Sequence, residues 1–104
     1  MKDYSAMSDF EINKAVANIV FSGKVPRMQE DSLEFGILNY CKNPEQAWPI
    51  IARNEISIIF NWNEYGLHAA LSELPGVYLE TRDNPLRAAM IVFLMMKDRG
   101  NSHA

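Results

Sequence analysis

Few side chains in this 104-residue chain are suited to making or breaking bonds: there is one cysteine, Cys41, and there are two histidines, His68 and His103. A metal needs several such ligands at close spacing, and a nucleophile needs a base beside it. Neither histidine has a cysteine or carboxylate at ligand spacing, so no metal site is expected. Cys41 has no histidine or helix N-terminus placed to make its thiolate, and it reads as a small buried hydrophobe. The glycines form no phosphate-cradling loop, no dinucleotide fingerprint and no Gly-x-Ser-x-Gly elbow. Any of the 13 carboxylates is open to tuning by burial, but no pattern selects one. These absences predict a protein that is not an enzyme, with no catalytic residues and no cofactor; a small enzyme acting on a nucleotide or a peptide is the least favoured alternative.

Binding chemistry is the alternative. His68 falls on an expected strand where Asn61 and Tyr78 flank it across the sheet and Arg82 shares the outward face; these four are the candidate binding residues. A lone histidine on a strand is more often a surface or hydrogen-bonded structural group. Trp48, Trp62, Tyr65 and Tyr78 suit stacking on bases or anchoring a partner protein, with core packing the favoured reading for both tryptophans. Met90, Met95 and Met96 suit an adaptable groove, but a core or a dimer interface is preferred.

Caps mark the elements that position these residues. Ser8-Asp9-Phe10-Glu11 is a capping box opening a first helix, with Ile12, Ala15, Val16, Ile19 and Val20 on the buried face and Asn13, Lys14 and Asn18 opposite. Gly23 and Pro26 end it, and residues 23–32 are expected to be a polar loop. Residues 33–40 have strand-like content interrupted by Gly36 and are expected to be extended. Asn43-Pro44-Glu45-Gln46 repeats the capping logic and opens a helix to Arg53, bent or split after Trp48 by Pro49.

Residues 56–62, 67–73 and 77–82 then read as short strands joined by turns at Asn63-Glu64-Tyr65-Gly66 and Leu74-Pro75-Gly76, although 67–73 also suits a short helix. In a meander Ile56, Ile58, Phe60, Trp62, Leu67, Ala69, Leu71, Val77 and Leu79 face the helices. Ser57, Asn61, His68, Ser72, Tyr78, Glu80 and Arg82 then face out. The expected fold class is α+β: a small antiparallel three-stranded meander packed against about three helices in the order α-α-β-β-β-α. Residues 1–104 are expected to form a single domain, frayed at 1–7 and 101–104.

The last helix is the most informative segment. Asn84 caps it, Pro85 takes the first position, and Gly100 is expected to lie beyond its end as a stop. Residues 88–96 are apolar on nearly every side, so the helix has to be covered from more than one direction. A homodimer through residues 85–99 is the expected way to cover it. The run is too short to span a bilayer, which takes roughly 20 apolar residues.

Composition narrows the function classes further. With 48% hydrophobic and 22% charged residues, the chain is globular rather than disordered. Its net charge of −3 and isoelectric point near 5.3 argue against nucleic-acid binding, which calls for a basic patch. Lys97 and Arg99 close the last helix, where its dipole favours cations. A single cysteine and no secretory leader at Met1 point to the cytoplasm.

Three blocks together resemble the NinX family of small proteins of lambdoid phages and prophages: Ser8-Asp9-Phe10-Glu11-Ile12-Asn13-Lys14-Ala15-Val16-Ala17, then Asn39-Tyr40-Cys41-Lys42-Asn43-Pro44-Glu45-Gln46-Ala47-Trp48-Pro49-Ile50-Ile51, then Asn84-Pro85-Leu86-Arg87-Ala88-Ala89-Met90-Ile91-Val92-Phe93-Leu94-Met95-Met96. The resemblance implies a phage or prophage origin and a cytoplasmic setting in the infected bacterium. It supplies no activity and no functional residues. By analogy with phage accessory genes, it raises the expectation of an interaction protein that binds a host or phage macromolecule.

Overall fold

A computed structural model describes residues 3–101 of the chain, so the fraying expected at residues 1–2 and 102–104 falls outside the described residues. A 3₁₀ turn, Tyr4–Ala6, leads into helices α1 (Asp9–Val20), α2 (Arg27–Glu34) and α3 (Pro44–Arg53). Strands β1 (Ser57–Ile59), β2 (His68–Leu71) and β3 (Tyr78–Thr81) follow, and helix α4 (Pro85–Asn101) closes the fold. The sheet is an antiparallel meander in the order β1-β2-β3, so the fold is α+β as expected.

Caps govern the helix starts as the sequence implies. The Ser8 hydroxyl accepts the Glu11 N–H at 3.1 Å while the Glu11 carboxylate accepts the Ser8 N–H at 3.1 Å. Asn43 Oδ1 accepts the Glu45 N–H at 3.0 Å, and Asn84 Oδ1 accepts the Arg87 N–H at 3.2 Å. Helix α3 runs unsplit through Pro49, which corrects the expected split; the proline is the sixth of its ten residues and removes a single backbone donor. Gly100 lies inside α4 rather than beyond it.

Two expectations for residues 23–40 are corrected. Helix α2 runs from the expected loop into the segment expected to be extended, and Gly36 is the stop of that helix rather than an interruption in a strand. Gly36 has φ +73°, its N–H donates to the Leu33 carbonyl at 3.2 Å, and the Ile37 N–H donates to the Ser32 carbonyl at 2.8 Å. That pair of bonds is a Schellman stop. Only Leu33 of α2 is buried, so the helix shows no apolar periodicity to read.

The fraying expected at 3–7 is also corrected, because Tyr4 is buried and its hydroxyl bonds Asp98 of α4. Arg87 of α4 holds this end as well, through an ion pair with Asp9 at 2.7 Å and a bond to the Ser5 carbonyl at 3.3 Å. Nearby, Asn13 is buried although the helical pattern put it on the polar side of α1.

In the sheet, Ile58, Ala70 and Leu79 align across the three strands on the face that meets α4. His68 and Thr81 share that face by register, whereas Ala69 and Leu71 lie on the opposite one with Ile59, Glu80, Ser57 and Tyr78. The phase of β2 is therefore one residue from that expected, which reverses every side chain on the strand. Two consecutive alanines hide the phase, and a bulge shifts it. Ile59 pairs with Ala69 and the Trp62 N–H donates to the Leu67 carbonyl, leaving Phe60 and Asn61 both opposite His68. Asn61 takes φ +52° to make the bulge.

Helix α4 is the spine of the molecule. It packs on all three strands and on α1 and α3, and residues 88–94 are almost wholly buried within one chain. The sheet on one side and two helices on the other supply the cover its composition demands. The apolar centre of that helix is covered in cis, so its composition alone does not call for a second chain.

Candidate interaction surface

The four polar residues selected from the sequence do not converge. His68 Nδ1 accepts the Asn61 backbone N–H at 3.1 Å, and the ring packs edge-on to Phe60 with centroids 5.3 Å apart. His68 thus closes the bulge, the structural role a lone strand histidine most often has. Tyr78 lies on the opposite face, across from Leu71. Arg82 lines a separate groove of about 280 Å³ between β3 and the start of α4, together with Arg87.

The aromatic residues behave differently from the reading that favoured a core. Trp48 is 65% exposed and Trp62 42%, so neither tryptophan packs inside. Around the β1–β2 hairpin, Phe60 at 65% and Tyr65 at 69% join Trp62 within six residues of chain. Exposed rings at this density depart from an ordinary surface, where large apolar groups are scattered singly.

Bonds made by the Asn63 side chain hold the hairpin in place. Asn63 Oδ1 accepts the N–H groups of Tyr65 at 2.9 Å and Leu67 at 3.3 Å, and its amide donates to the Glu80 carboxylate of β3 at 2.9 Å. The tip is thereby tied to the far strand, and its rings are presented by an ordered loop. Such preorganisation lowers the entropic cost of binding.

On the outer face of the sheet, a groove of about 390 Å³ runs between α3 and the strands, lined by Trp48, Ser57, Leu71, Glu55 and Glu73. The Glu73 carboxyl is raised above its usual range, first by a hydrogen bond with Glu55 and then by that residue's charge. His68 lines neither this groove nor the one beside Arg82.

Cys41 is fully buried, as the sequence implies, and serves through its backbone. Its N–H donates to Asn13 Oδ1 at 3.0 Å and its carbonyl accepts the Asn84 amide at 2.8 Å, so the backbone of one residue joins α1 to the cap of α4. Burial pushes the thiol pKa up to about 12, with the Asp9 charge adding and Arg87 opposing. In the folded protein, Cys41 is expected to react with a chromogenic disulfide reagent at least about 100-fold more slowly than free cysteine at mildly alkaline pH, because little thiolate forms. Reaction at the free-cysteine rate without denaturant would contradict that burial.

Among the described residues no cluster of three His, Cys, Asp or Glu side chains is arranged to hold a metal, and no helix is long and apolar enough to cross a membrane. Comparison with known proteins finds no curated protein and no solved structure that matches. A family model described as bacteriophage P22, NinX, matches residues 3–97, taking in all three cap-marked blocks and the strands between them. The chain belongs to the NinX family.

Proposed function

We propose that this phage accessory protein is a non-enzymatic interaction module whose β1–β2 hairpin engages another macromolecule, a host or phage protein, in the cytoplasm of the infected cell. The observation that carries this reading is the exposure of three rings within six residues of chain, Phe60, Trp62 and Tyr65, on a hydrogen-bonded loop. Tryptophan and tyrosine dominate the energetics of protein interfaces because they bury much area for few rotatable bonds. The acidic balance and the scattered basic residues weigh against a phosphate backbone as the partner.

Affinity capture from infected-cell lysate with the wild-type chain and a Phe60→Ser/Trp62→Ser/Tyr65→Ser variant tests the proposal. A partner identified by mass spectrometry should be retained by the wild type and lost with the variant, while both circular dichroism spectra agree. Identical captures by the two proteins would remove the hairpin from the reading. A single-stranded oligonucleotide bound by the wild type, with affinity falling steeply as salt rises, would replace the protein partner by a nucleic acid.

A further inference from the structure

A groove of about 730 Å³ bounded by α1 and α2 lies far from this chemistry in kind, with an apolar floor under an acidic rim. Phe10, Ala15, Val25 and Leu33 supply the floor. Glu11, Glu30, Asp31 and Glu34 stand around it, against the single cation Lys14. Its size falls within the range of built binding pockets, which is roughly 300–1,000 Å³.

Helix α2 makes the sign of the rim unusual. Arg27 and Glu30 offset each other in the first turn, but Asp31 and Glu34 close the helix with no basic residue in the last turn, so its charges oppose its dipole at the C-terminal end. The negative pole of the helix and the carboxylates therefore add. No side chain caps its N-terminus and only Leu33 anchors it, so α2 gains little from within the chain for carrying that charge.

We propose that the α1–α2 groove docks a basic amphipathic segment of a partner polypeptide, with a bulky apolar side chain against Phe10 and Val25 and flanking Lys or Arg residues meeting Glu30, Asp31 and Glu34. The apolar floor requires an apolar anchor, and the rim repels phosphate-bearing partners as strongly as it attracts cations. This surface is independent of the hairpin, so either can fail without the other.

The probe is an amidated helical peptide of about 12 residues, three helical turns, patterned from Leu and Lys; controls replace Lys with Glu or scramble the order. Titration of the labelled full chain, followed by amide resonances at about 50 mM salt, should move α1, α2 and residues 21–25 only for the amphipathic basic peptide. Glu30→Gln/Asp31→Asn/Glu34→Gln should weaken it about tenfold, and Lys14→Glu should tighten it severalfold. Unchanged hairpin resonances certify that each variant folds. Equal binding of the Glu peptide or the scrambled one, no change with the triple variant, or shifts at residues 60–67 instead would overturn the proposal. Groove resonances that already depend on protein concentration without peptide would make the occupant a second copy, and would overturn it too.

Discussion

Met90→Ala is expected to lower the unfolding free energy by about 2–5 kcal/mol, the range for deleting a large side chain from a closed core. Met90 is fully buried in the middle of α4, where the sheet meets the helical layer. Its removal leaves a cavity that neither layer can collapse into without breaking register with the other. Small domains are stable by only about 5–15 kcal/mol, so the loss is a large share of the total. Urea denaturation measures it directly, and Met96→Ala, at a half-buried position of the same helix, is expected to lose less. Protein concentration supplies the second readout. Since α4 is covered within its own chain, the midpoints of wild type and variant should not move with concentration, whereas a helix completed by a second copy would give midpoints that rise with it.

What the sequence made legible follows the range of the interactions concerned. Ser8 with Glu11, Asn43 with Pro44, and Asn84 with Pro85 act over a single helical turn, and each start is where its cap places it. The demand of α4 for cover on several sides was equally plain, because it depends on composition alone. What supplies the cover is a tertiary fact, and within the chain α1, α3 and the sheet supply it. Helix α2 leaves no periodic trace in the sequence because Leu33 is its one buried residue. The phase of β2 is hidden because Ala69 and Ala70 are equally small and the bulge at Phe60 and Asn61 lies outside any regular period.

The candidate site was legible only in part, for a related reason. Trp62 and Tyr65 were visible as aromatic residues beside the turn Asn63-Glu64-Tyr65-Gly66, but hydropathy favours the core for tryptophan. Placing aromatics within a tight turn is the signal that separates the two outcomes, since a hairpin tip has no layer to bury them. His68, in contrast, was selected for its chemistry and turned out to serve the backbone of Asn61.

Asn13 carries the second large prediction because its burial runs against its own helical pattern. Its Oδ1 accepts the Cys41 N–H at 3.0 Å and its amide donates to Asn39 Oδ1 at 2.8 Å, which fixes the 39–41 segment against α1. Asn13→Ala removes both bonds and strands a buried peptide donor that water cannot easily reach. An unsatisfied buried group costs about 1–3 kcal/mol, beyond the roughly 1 kcal/mol net value of a bond lost at a wetter site. The expected loss is therefore about 2–3 kcal/mol, against about 1 kcal/mol for Asn39→Ala, whose partner is the same amide but whose own side chain is less enclosed. Hydrogen exchange separates a local cause from a global one. In the Asn13→Ala protein the Cys41 amide should exchange faster by more than the drop in global stability explains, because its acceptor is gone. Because the Cys41 carbonyl also holds the Asn84 amide, the cap bond from Asn84 to Arg87 should loosen in the same variant. If the Cys41 amide kept its wild-type protection relative to the rest of the core, Asn13 would be a bystander and not the link between α1 and α4.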